Sequence, residues 1–65
     1  MYKYRVVTYD DNGVDSVMQC DNIAVAQDYY KFKCNHIKTY RDGGRCIYII
    51  ENSTNIPLCS SFFSY

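Results

Sequence analysis

Tyr2-Lys3-Tyr4-Arg5-Val6-Val7-Thr8-Tyr9, then Asp10-Asp11-Asn12-Gly13, then Val14-Asp15-Ser16-Val17-Met18-Gln19-Cys20 is the stretch that decides the fold. Its first part is rich in Tyr, Val and Thr, which suit a pleated surface, and its even positions are more apolar than its odd ones, which include Lys3 and Arg5. In the third part Val14, Ser16, Met18 and Cys20 alternate with Asp15, Val17 and Gln19. A turn cluster between two alternating runs predicts a β-hairpin. The faces choose its register. A two-residue Asn12-Gly13 turn would set Arg5 opposite Cys20, whereas a three-residue Asp11-Asn12-Gly13 loop sets Tyr4 opposite Cys20, Val6 opposite Met18 and Thr8 opposite Ser16. The second choice gathers one apolar face and is the predicted pairing.

Beyond the hairpin, Asp21 or Asn22 is placed to cap a helix running from Ile23 to Cys34 without Gly or Pro, with His36 at its end. Ile23, Ala26, Tyr30, Cys34 and Ile37 share a stripe, and Val25, Tyr29 and Phe32 widen the apolar arc beyond what one sheet face requires. Ile37 to Asp42 and Arg45 to Asn52 flank Gly43-Gly44 and read as a second hairpin with Tyr40 facing Ile47. Cys46, Tyr48 and Ile50 alternate with Ile47 and Ile49, so this strand is apolar on both sides and belongs in the middle of a sheet. The expected architecture is α+β, a single domain over residues 1–65: β-hairpin, helix, β-hairpin (ββαββ), with the helix packed on an antiparallel sheet. The neutral tail over 52–65 is expected to dock on the other sheet face or along an edge. Val6, Met18, Ile23, Ala26, Tyr30, Ile47 and Ile49 form the expected core.

A chain of 65 residues has room for one core, and 48% hydrophobic against 22% charged residues is a folding composition. Seven basic and seven acidic side chains cancel, which weakens any simple electrostatic case for nucleic acid or an anionic membrane. No apolar run approaches the ~18 residues of a membrane span. The balance hides a split: residues 1–28 carry Lys3 and Arg5 against Asp10, Asp11, Asp15, Asp21 and Asp28, and the second half carries the opposite excess. Met1 runs into a strand with no apolar leader, so the four cysteines at 20, 34, 46 and 59 are expected as reduced thiols in a cytoplasmic protein.

No chemistry-bearing constellation emerges. Structural zinc sites pair ligands a few residues apart, and only Cys34-Asn35-His36 is locally close, so neither a metal nor a cofactor is expected. A cysteine nucleophile with His36 as base has the residue types and no signature around them. Arg41-Asp42-Gly43-Gly44-Arg45 is explained by a hairpin tip and lacks the helix start that a phosphate loop needs. No catalytic residue is assigned and the chain is not expected to be an enzyme. Eight tyrosines are the main compositional anomaly, and Tyr serves both protein interfaces and base stacking.

The opening Met1-Tyr2-Lys3-Tyr4-Arg5-Val6-Val7 and the helix start Asp21-Asn22-Ile23-Ala24-Val25-Ala26 resemble, in style, small accessory proteins of large lytic bacteriophages. That resemblance implies a non-catalytic inhibitor that binds a host or bacterial defence protein in the host cytoplasm. The neutral charge and the four cysteines depart from the strongly acidic members of this class. The expected protein-binding residues are Val25, Tyr29, Phe32, Phe62, Phe63 and Tyr65, with a homodimer as a further possibility. The alternative is a small nucleic-acid- or nucleotide-binding domain using Lys31, Lys33, Lys38, Tyr40, Arg41 and Arg45, together with Tyr48.

Overall fold

The computed structural model describes residues 2–40 and 44–64. Strands β1 (Tyr4–Asp10) and β2 (Gly13–Cys20) precede helix α1 (Ile23–Tyr40), which is followed by β3 (Arg45–Glu51) and β4 (Ile56–Phe63). The strands form one antiparallel sheet in the order β2-β1-β3-β4, so the α+β, ββαββ architecture holds and β3 lies inside the sheet.

The first hairpin has the predicted pairs Tyr4–Cys20, Val6–Met18 and Thr8–Ser16 but reaches them by another device. Asp10 pairs with Gly13, which leaves a two-residue turn at Asp11-Asn12, and a register shift next to Thr8 lets Asp15 bulge out as the extra residue. The Asp10 side chain accepts the Asn12 N–H at 2.8 Å, and Gly13 takes φ +114°, a conformation that L side chains rarely adopt.

Asn22 is the helix cap: its Oδ1 accepts the Ala24 N–H at 2.8 Å while its carbonyl accepts the Ala26 N–H at 3.1 Å. The helix does not stop at His36. Ile37, expected to open a strand, extends the buried stripe by one turn and is 2% exposed, and burying it against the core outweighs its β-propensity. Tyr40 is therefore helical, and Ile47 pairs with Thr8 and Ser61 instead. The Arg41-Asp42-Gly43 part of the expected turn lies outside the described residues.

The second hairpin is β3–β4. The neutral tail is its outer strand, an edge placement. The connecting turn is tied to the adjacent start of β1 by Asn52: its N–H donates to the Lys3 carbonyl at 2.9 Å and its side-chain amide to the Tyr2 carbonyl at 2.9 Å. Arg5 donates to Asn52 Oδ1 at 2.5 Å and to Asn55 Oδ1 at 3.0 Å, which holds Asn55 in the left-handed region at φ 57°.

The core lies between α1 and one sheet face, where Val6, Cys20, Ala26, Ile37, Ile47, Ile49 and Phe63 are buried and Met18 and Tyr30 pack against them. Ile23, expected in this group, is 37% exposed in the first turn of the helix. The Tyr30 hydroxyl bonds to Ser61 Oγ and joins the helix to the edge strand.

Candidate functional site: two uncovered apolar surfaces

Side chains alternate across a strand, so the residues between the core positions of β1 and β3 face away from the helix. The pairing places them in three transverse rows. Val14, Tyr9, Cys46 and Phe62 form one; Val17, Val7, Tyr48 and Ser60 the next; Gln19, Arg5, Ile50 and Pro57 the third. Arg5 carries the only charge of this grid, and its guanidinium is already engaged by Asn52 and Asn55.

An aromatic ladder crosses the grid: Tyr9 meets Tyr48 edge to face at 5.7 Å, and Tyr48 meets Phe62 at 6.0 Å and 89°. Both are favourable ring geometries. Beside the ladder lies a shallow hollow of about 530 Å³ lined by Tyr9, Cys46, Tyr48, Ile50 and Pro57. The apolar surroundings raise the Tyr48 phenol above its ordinary 10.0, with smaller contributions from Cys46 and Tyr9. Phe62, next to the hollow, is 72% exposed.

The second surface is on the helix. Val25, Tyr29, Phe32, His36 and Tyr40 follow one another at helical spacing on the flank beside the core stripe. Their rings are contiguous: Tyr29–Phe32 at 6.4 Å, Phe32–His36 at 6.4 Å and His36–Tyr40 at 4.7 Å. Val25, Phe32, His36 and Tyr40 are exposed, Phe32 at 63% and Tyr40 at 67%, while Tyr29 is half-buried against the core.

The predicted site residues therefore separate. Val25, Tyr29 and Phe32 belong to the helix seam, and Phe62 lies on the open sheet face. Phe63 is not a surface contact; it is 8% exposed in the core, because alternation turns it toward the helix. Tyr65 and Arg41 lie outside the described residues. Lys31 and Lys38 are exposed and Lys33 is half-buried, all on the helix, while Arg45 binds Asp15 at 2.6 Å, so the described members of the basic set are not gathered around Tyr48. Tyr9 and Cys46 were not singled out for binding, although the two-sided apolar pattern of β3 was a signal for the open face. His36 was missed as a seam residue because its polarity hides it in a hydropathy pattern.

The thiols are free: Cys20 is buried, Cys34 and Cys46 are half-buried and Cys59 is exposed. Among the described residues no cluster of three or more His, Cys, Asp or Glu side chains is arranged to hold a metal, and no helix is long and apolar enough to cross a membrane. Comparison with protein families, curated proteins and solved structures finds no match.

Proposed function

We propose that this chain is a non-catalytic protein-binding module that offers the α1 seam to an apolar groove on its partner. The observation that carries this reading is the unbroken run of ring contacts from Tyr29 through Phe32 and His36 to Tyr40 on an exposed helix flank. Anchors one turn apart on one helix face are what helix-in-groove recognition reads, and aromatic anchors supply much of the binding energy in such interfaces. The resemblance to phage accessory proteins supplies the partner class, a host or bacterial defence protein met in the bacterial cytoplasm. A nucleic-acid reading has less support, since Tyr9 and Tyr48 could stack bases but stand in a grid of described residues in which Arg5 is the only cation.

The test compares capture from bacterial lysate by the wild-type chain and by Phe32→Asp, with circular dichroism confirming that the variant folds. A discrete protein retained through high salt by the wild type and lost by the variant is the expected result. Retention that survives Phe32→Asp, or nucleic acid released steeply by salt, defeats the proposal.

A further inference from the structure

We infer that the open sheet face is a homodimer interface, in which two copies of this chain pack sheet on sheet with Phe62 of each copy seated in the hollow of the other. The inference is independent of the helix seam, which lies on the opposite side of the molecule and stays free in such a dimer.

Charge comes first. A two-fold contact sets the same patch against itself, so a face with scattered charges of one sign would repel its copy. Here the only charged position in the grid is Arg5, in the row at the Asn52 end, and its guanidinium is held by Asn52 and Asn55 at that end. The centre and the opposite row are neutral.

Area is the second consideration. Four strands spaced ~4.8 Å apart and about seven residues long give a planar face of roughly 450 Å² per copy, or about 900 Å² for two before side-chain relief is counted. Val7 and Ile50 at its centre are already 3% and 7% exposed, so the area a second copy covers comes from Val14, Val17, Pro57 and Phe62 around them, and the contact falls at the low end of specific interfaces. An aligned pair of twisted sheets, ~10 Å apart, places the two grids in contact.

Shape is the third. A self-complementary face needs a projection and a matching recess displaced from it. Phe62 is the projection, 72% exposed at the end of the ladder. The recess is the apolar hollow bounded by Tyr9, Cys46, Tyr48, Ile50 and Pro57, so knob and hole are neighbours on one surface. Burial there would remove the most exposed large hydrophobic side chain among the described residues from water.

Sedimentation equilibrium of the full chain across a range of concentrations tests this. The wild type is expected to show a reversible monomer–dimer equilibrium. Phe62→Lys and, separately, Val17→Lys on the edge strand β2 put a like charge on both copies and should each weaken dimerisation at least about a hundredfold. Phe32→Lys on the helix should leave it unchanged. Both face positions are exposed, so the monomer fold survives either substitution, and circular dichroism verifies that. A wild type that stays monomeric at every accessible concentration overturns the inference. So does a dimer that survives both face variants, or one that is lost only with Phe32→Lys.

Discussion

Strand β3 is built twice over, once for each side of the sheet. Ile47 and Ile49 point under the helix and are fully buried; Cys46, Tyr48 and Ile50 point the other way, where Ile50 is 7% exposed, Cys46 and Tyr48 are half-buried, and no second layer is formed among the described residues. The covered side uses branched aliphatic residues that interlock with Val6, Ala26 and Ile37. The open side uses Tyr9, Tyr48 and Phe62, large rings that contact each other edge to face, two of them with hydroxyls that can stay solvated. An antiparallel sheet with one wet side ordinarily alternates apolar and polar residues along each strand. This sheet does not, and the difference between its faces is one of chemistry more than of hydrophobicity: branched aliphatic side chains fill the side under the helix, and rings in edge-to-face contact line the other.

The sharpest way to break that distinction is to truncate each side in turn. Ile47→Ala opens a cavity in the filled layer and should cost about 2–5 kcal/mol in denaturant unfolding. Tyr48→Ala removes a larger side chain from the open layer and should cost the monomer less than about 1.5 kcal/mol, because water fills the space. Equal losses would mean that the two faces are energetically alike. Next in size is an expected gain. Thr8 is 1% exposed, and its hydroxyl, like that of Ser16 directly across the hairpin, has no hydrogen-bond partner among the described residues. Thr8→Val keeps the shape, removes an unsatisfied group and should stabilise by about 1 kcal/mol, read as a higher melting temperature. A lower one would show that the covered layer needs this hydroxyl. Smaller still is the rim. The Arg45–Asp15 pair is partly exposed on both sides, so Asp15→Ala should cost at most about 1 kcal/mol, and less at high salt.

The alternation of β1 and β2, the cap at Asn22 and the two-sided pattern of β3 were legible because each is a local signal at the period of its element. The pairing of Tyr4, Val6 and Thr8 was legible for the same reason, even though the bulge at Asp15 replaced the expected loop. Ile37 was ambiguous: it continues the helical stripe and also begins a β-prone run, and only the depth of the core beneath it decides. The strand Ile56–Phe63 was hidden by Pro57 and by the bulge that breaks its register beyond Ile49, devices that suit an edge strand and blur its period. The seam on α1 was half visible. Val25, Tyr29 and Phe32 stood out as surplus apolar surface, whereas His36 joined them only once its ring was seen between those of Phe32 and Tyr40.

The smallest effect bears on who covers which face. Tyr30, under the helix, has its phenol raised above 10.0 first by burial and then by the neighbouring Cys34 and Cys59 thiols, against the opposing hydrogen bond from Ser61. Tyr48, on the open face, is raised in the same direction. A phenol whose pKa is higher in the folded chain keeps its proton while the unfolded chain gives it up, so the folded state binds more protons above pH 10.0. The stability linked to each group is therefore complete below that pH and is lost as the pH rises through the folded pKa. The two tyrosines should part company with concentration. Tyr30 is covered by its own chain, so the alkaline loss that Tyr30→Phe removes should be the same in dilute and concentrated protein. Tyr48 is covered further only if a second copy lies on the sheet, so its phenolate absorbance should move to higher pH as the protein is concentrated, and Phe62→Lys should cancel that movement. A Tyr48 titration independent of concentration in a protein shown to dimerise would place the second copy somewhere other than the open face.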